Sequence, residues 1–205
     1  MISAVILAAG RSRRMGAFKP LLPFPSGRTV VEACVECVRG AGVEEVVVVV
    51  GHKAAEVRGA LEGSRVRFAS NDEPESEMGV SIARGVEALS GEARAVLICL
   101  VDQPAVPPLA VREVIEAHTK TGARLVVPTW EGRGGHPVLV DLAFREELLT
   151  LVPREGLRAL FDARRGEVLR LPVSSPYVAR DADTWEDYRA LYEEVFGVAP
   201  TAGWA

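Results

Sequence analysis

The stretch "AVILAAGRSRRMGAFKPLLPF", residues 4–24, runs an apolar segment into a loop of small residues and then places Arg11, Arg13, Arg14 and Lys19 within nine positions. A turn that only reverses the chain needs a glycine and no cluster of cations. Residues 2–8 read as a buried strand. After it, Ala8, Ala9 and Gly10 let the backbone come close to a ligand, and Gly10 and Gly16 supply conformational freedom. Backbone N–H groups in such a loop cradle phosphate oxygens, and the four cations neutralise a polyphosphate. The loop has neither the Walker A spacing nor the G-x-G-x-x-G dinucleotide pattern. The competing reading is a solvated basic loop.

Working outward, apolar runs alternate with amphipathic stretches. Strands are expected at 2–8, 44–51, 65–70, 93–102 and 123–129, with a further strand within 130–140 and another at 167–172. Helices are expected at 28–41, 53–62, 79–89, 107–121, 142–150, 155–164 and 184–196. The run "EEVVVVVG" (44–51) is β-branched and unbroken, as a strand covered on both faces should be. This alternation predicts an α/β fold with a mostly parallel sheet between helical layers on both faces. Ligands in such folds bind beyond the carboxyl ends of the strands, where strand order reverses. The cationic loop stands at the carboxyl end of the first strand.

The chain has 205 residues, a net charge of −4, 48% hydrophobic and 25% charged residues. These values describe one globular domain and give no global reason to expect nucleic acid or a membrane surface as partner. The N-terminus lacks the pattern of a signal peptide, and no apolar run approaches the ~20 residues that span a bilayer. A cytoplasmic protein is expected, with one domain over 1–197 and a loosely held tail at 198–205. Cys34, Cys37 and Cys99 form no disulfide framework. Cys34-x-x-Cys37 lies in an amphipathic helix with no second pair, and small core residues are the better reading.

Four further stretches carry chemistry. "LICLVDQP" (97–104) ends a buried strand in Asp102, a carboxylate placed to hold Mg²⁺ or to form a turn before proline. "RDADTWEDY" (180–188) sets Asp181 and Asp183 two apart, so an extended chain aims both the same way. There, Asp183 or Thr184 also reads as a helix cap, with Asp183-x-x-Glu186 as a capping-box variant. In "NDEPESEMGVSIARGV" (71–86), Ser81 follows Gly79 and reads as the cap that opens a helix. In "GRGGHPVLV" (132–140), Gly134 and Gly135 leave room for a ligand that His136 would face, although a lone histidine is more often structural.

"LAAGRSRRMGAFKPLLP" (7–23) resembles the signature L-A-[AG]-G-x-S-x-R-[MF]-G-x-x-K-x-L-[LV]-P of the MobA-like nucleotidyltransferases. The resemblance recurs at Asp102, at 180–188 (with Trp185 in place of the usual proline), around Gly79 and Ser81, and at Gly135-His136-Pro137. It implies a Rossmann-like three-layer α/β/α nucleotidyltransferase fold and transfer of a nucleoside monophosphate to a phosphorylated acceptor. It implies nucleotide contacts from Leu7, Ala8, Ala9, Gly10, Arg11, Ser12, Met15, Gly16, Gly79 and Ser81. Catalytic roles fall to Arg14, Lys19 and Asp102. Mg²⁺ or Mn²⁺ would sit on Asp102 and Asp183, with Asp181 as the alternative. Acceptor contacts would come from Gly135 and His136, with residues 1–102 as the nucleotide half and 103–197 as the acceptor half. Ala8-Ala9-Gly10 matches the family's cytidylyl branch, which implies CTP, molybdopterin as acceptor and a molybdoenzyme or its chaperone downstream. GTP, another phosphorylated acceptor, and a non-catalytic cofactor-binding role are the alternatives.

Overall fold

The computed structural model describes residues 1–73, 77–152 and 155–200. Its strands are β1 (Ile2–Leu7), β2 (Pro23–Phe24), β3 (Arg28–Thr29), β4 (Glu45–Val50), β5 (Arg67–Ser70), β6 (Ala95–Leu100), β7 (Leu125–Trp130), β8 (Arg133–Gly134), β9 (Val138–Asp141) and β10 (Val168–Pro172). The α-helices are α1 (Val30–Gly40), α2 (Ala54–Ala60), α3 (Met78–Glu87), α4 (Pro108–Thr121), α5 (Arg145–Leu149), α6 (Leu157–Ala163) and α7 (Trp185–Phe196). The central sheet runs β10-β7-β9-β6-β1-β4-β5, with β8 paired to β7. Along that path β9 alone runs antiparallel to its neighbours. The expected mostly parallel sheet between helical layers is therefore present. Of the expected tail, residues 201–205 lie outside the described residues.

The period of two along each central strand builds both cores. Ala4, Ile6, Val46, Val48, Leu97 and Cys99 face one cluster, shared with α1, α4 and α7. Val5, Leu7, Val47, Val49, Val96 and Ile98 face the other, shared with α3, α5 and α6. Strands buried on both faces have no polar side to display, hence the unbroken valine run of β4.

Chain order leaves β1 toward β4 and β5, then returns to β6 on the other side of β1. The reversal puts a crevice between the carboxyl ends of β1 and β6, which is where the cationic loop and Asp102 stand.

Helix α3 lies close over β1 because position 85 has no side chain. A Cβ there would stand 2.3 Å from Val5 Cγ1 and 3.0 Å from Val49 Cγ2. Helix propensity alone favours Ala over Gly by about 1 kcal/mol. Overpacking this site costs more, so Gly85→Ala should lose about 1–2 kcal/mol net. Urea unfolding of the two proteins checks this; a stabilised variant would show that α3 can lift off β1 freely.

Candidate active site

Loop 8–19 leaves β1 with Ala8 N–H donating to Val49 O at 2.9 Å. Met15 is 5% exposed and anchors the loop in the core. Ser12, at φ 52°, accepts the Lys19 N–H on its Oγ at 3.0 Å. That bond sets where Lys19 enters the short 3₁₀ turn Lys19–Leu21.

On the other side of the crevice, one backbone and one side-chain hydrogen bond fasten the segment before α7 to the end of β6. Ala182 N–H donates to Asp102 O at 2.7 Å, and Gln103 Nε2 donates to Asp181 Oδ1 at 2.6 Å. Thr184 and Asp187 form the capping box of α7. Of the two expected caps, Asp183 and Thr184, Thr184 is the one used, and the box pairs it with Asp187 rather than Asp183 with Glu186, which leaves the Asp183 carboxylate out of the cap.

Asp183 turns that carboxylate into the crevice. Lys19 Nζ lies 2.8 Å from Asp183 Oδ1 and 3.7 Å from Asp102 Oδ2. Arg14 reaches Asp183 Oδ2 at 2.7 Å, but its side chain is 76% exposed, so that pair alone adds little stability. Lysine 19 is 12% exposed and is the pivot of the cluster. Asp102 Oδ1 is buried without a hydrogen-bond partner among the described residues. Burial pushes the Asp102 pKa up, the Asp181 and Asp183 charges add to this, and Lys19 opposes it. The Lys19 hydrogen bond outweighs partial burial at Asp183 and holds its pKa down.

An orphaned carboxylate oxygen beside a second carboxylate is a hard-oxygen donor set, which fits a divalent cation such as Mg²⁺ or Mn²⁺. Two protein carboxylates leave the remaining positions to phosphate oxygens and water, as Mg²⁺ at phosphate sites requires.

These groups line a cavity of about 480 Å³ together with Leu7, Ala9, Gly10, Arg11, Ser12 and Ser81. That volume suits a nucleotide-sized ligand. Other expected contacts fall elsewhere. Ala8 and Met15 turn into the core, because each is a buried anchor of the loop. Gly16 and Gly79 do not line the cavity. Ser81 does not open α3: Met78 does, after an N-cap Glu77 that makes no side-chain cap bond. Ser81 is buried in the helix and its Oγ accepts from Asn71 Nδ2 at 2.8 Å. Asn71 itself lines the cavity. Sequence reasoning passed over it, although a buried polar residue just past the carboxyl end of β5 was the available signal.

Gly135 and His136 do not reach this cavity. A Cβ at Gly135 would stand 1.8 Å from Val178 O, so the glycine admits neighbouring backbone rather than a ligand. His136 N–H donates to the same carbonyl at 2.8 Å, and the ring Nδ1 lies 3.2 Å from Ile98 O. Burial lowers the His136 pKa despite that carbonyl and Asp181, so the ring favours the neutral form. Asp181 is exposed and held by Gln103, outside the cavity lining, so of the two aspartates Asp183 is the one gathered with Asp102 and Lys19. Cys34 and Cys99 are buried, and Cys37 donates its thiol to Val106 O at 3.0 Å. Burial raises all three thiol pKa values, that of Cys37 to about 12.

No helix among the described residues is long and apolar enough to cross a membrane.

Comparison with known proteins adds four findings. A family model described as the MobA-like NTP transferase domain matches residues 4–168. The chain is 30% identical over 200 residues to nicotine blue oxidoreductase of Paenarthrobacter nicotinovorans, covering 93% of this chain and 96% of that protein. It is 30% identical over 198 residues to a probable molybdenum cofactor guanylyltransferase of Mycolicibacterium paratuberculosis, covering 93% and 94%. Among solved structures, Rv0371c of Mycobacterium tuberculosis H37Rv in complex with manganese superposes with a TM-score of 0.79 at 29% identity, over 94% of this chain and 98% of that one.

Proposed function

The chain belongs to the MobA-like NTP transferase family, and on that premise we propose that it transfers CMP from CTP to the terminal phosphate of a molybdopterin-type acceptor. The observation that carries the reading is the cluster of Lys19, Asp102 and Asp183 at the mouth of the β1/β6 crevice. A binding module has little use for a phosphate-holding lysine shared between two carboxylates.

An acceptor phosphate oxygen attacks the α-phosphorus of CTP in line. The new P–O bond forms as the α–β bridge breaks, and its electron pair leaves on pyrophosphate. A phosphate anion is already a competent nucleophile, so the chain supplies position and charge rather than a base. Asp102 and Asp183 would hold Mg²⁺ or Mn²⁺, which supplies charge neutralisation to the phosphates when bound. Arg14 and Lys19 both pair with the Asp183 carboxylate. With a triphosphate bound, the same two cations would serve the β and γ phosphates. Leu7, Ala9, Gly10, Arg11 and Ser12 would close on the nucleotide, with Asn71 and Ser81 near the base. His136 and Gly135 would serve the acceptor by shaping the wall behind it, since both are packed inside.

Ala8-Ala9-Gly10 favours CTP, whereas the guanylyltransferase relative favours GTP. Pyrophosphate release with Mg²⁺, purified molybdenum cofactor, and CTP or GTP in parallel separates them. Release with CTP at least tenfold faster than with GTP is expected. Faster release with GTP would keep the mechanism and overturn the base assignment. No release with either, despite nucleotide binding, would overturn the acceptor. Because one relative is named an oxidoreductase, pyrophosphate is the readout that tells transfer from redox chemistry.

A further inference from the structure

Gln103 follows Asp102 directly and is 6% exposed. Apart from His136, the cavity of about 20 Å³ beside it is lined by thiols and hydrocarbon, Cys34, Cys99, Val38, Leu100 and Val106 among them. A leucine would suit that wall. The glutamine instead buries an amide whose Oε1 has no hydrogen-bond partner among the described residues. An amide oxygen buried in this way costs stability. The other end of the amide is used: Nε2 donates to Asp181 Oδ1 at 2.6 Å. An ionised carboxylate only accepts, so it selects the NH₂ end and turns the carbonyl end into the wall.

That hydrogen bond acts on the segment that carries Asp183. Ala182 is 1% exposed and donates its N–H to Asp102 O at 2.7 Å. It is a buried anchor with an aspartate on either side. One hydrogen bond is a pivot about which the chain can turn; a second, one residue away, sets its direction. The bond from Gln103 to Asp181 is that second point. With the chain so directed, Asp183 meets Lys19 at 2.8 Å, and the same ammonium lies 3.7 Å from Asp102.

We propose that Gln103 is a positioning residue for the divalent-cation site: by holding Asp181 it aims the Asp183 carboxylate toward Asp102. The inference rests on the reading of Asp102 and Asp183 as the metal ligands. It also gives Asp181 a task, as the acceptor for Gln103 and not as a ligand. Groups that orient metal ligands through hydrogen bonds contribute about 10–100-fold to metal affinity. The low end applies here, because the Ala182–Asp102 bond survives the loss of Gln103.

The test measures Mn²⁺ affinity of the full chain by electron paramagnetic resonance, with a non-hydrolysable CTP analogue present. It compares wild type, Gln103→Leu, Asp181→Ala, the double variant and Asp181→Asn, with Tm recorded for each. Gln103→Leu removes the unpaired oxygen, so it should melt no lower than wild type. Each of Gln103→Leu and Asp181→Ala should weaken Mn²⁺ about tenfold, and the double variant no further, since both break one bond. Asp181→Asn keeps an oxygen for Gln103 and should stay within about threefold of wild type. In steady-state transfer, the Mg²⁺ concentration for half-maximal rate should rise about tenfold in Gln103→Leu, with kcat at saturating Mg²⁺ within about twofold. A purely structural glutamine would not give that split. Unchanged Mn²⁺ affinity in Gln103→Leu, or losses that multiply in the double variant, would overturn the positioning role while the metal reading stands. No Mn²⁺ binding to wild type, or binding that survives Asp183→Asn, would overturn the metal reading and this inference with it.

Discussion

Asp102→Asn should lower kcat/KM for nucleotidyl transfer by about a thousandfold, the scale expected when a group stabilising phosphate charge is removed. Asp102 Oδ1 is a buried oxygen without a hydrogen-bond partner among the described residues, as is the amide Oε1 of the adjacent Gln103, and of the two only the carboxylate is anionic. An amide puts N–H donors where a hard anionic oxygen is needed. The fold should survive, because the contact that fastens residues 181–183 uses the Asp102 carbonyl, not its side chain. Stability should hold or rise, since burial already penalises the charged form of this group. Asp181→Asn should cost less than about fivefold, because that carboxylate is exposed and faces Gln103. Steady-state kinetics and thermal melting of both variants check the pair. Equal losses would place the metal-binding role on the wrong aspartate.

Gly135→Ala should be the most damaging small substitution in the chain's second half. Its Cβ would stand 1.8 Å from Val178 O and 2.3 Å from Val178 C, and neither is a side-chain end that can swing away. The carbonyl it strikes also accepts from His136 N–H, so relieving the clash breaks that bond too. A loss of about 3 kcal/mol or more is expected. For a domain of this size that lowers Tm on the order of 10 °C. Activity should fall as well, because Val178 lies in the turn just upstream of Asp181–Asp183. Thermal melting separates the readings of this glycine. An unchanged Tm with a raised KM for the acceptor would make Gly135 a ligand contact instead.

Legibility followed the physics of each signal. The strand-to-loop passage at residues 4–24 was readable because small residues and four cations at fixed spacing have few structural uses. The valines of β4 were readable because burial on both faces leaves no alternation. The reversed direction of β9 was not, since "VLVD" looks the same run either way. Ser81 misled because a serine after a glycine resembles a cap, while α3 starts three residues earlier without one. His136 misled because glycines before a histidine suggest space, when the space at Gly135 is filled by the backbone of Val178. Asp183 was harder to separate from Asp181 than it became. Contacts distant in sequence separate them: Ala182 binds the end of β6, Gln103 holds Asp181, and Lys19 and Arg14 pair with Asp183.

The most direct test is a crystal structure of the chain with Mn²⁺ and a non-hydrolysable CTP analogue, with the metal located by its anomalous scattering. The account expects a peak within about 2.2 Å of one carboxylate oxygen each from Asp102 and Asp183, a distance typical of such hard-oxygen sites. It also expects the triphosphate against Lys19 and the base beside Asn71 and Ser81. A metal held by Asp181, or a nucleotide seated away from the β1/β6 crevice, would contradict it.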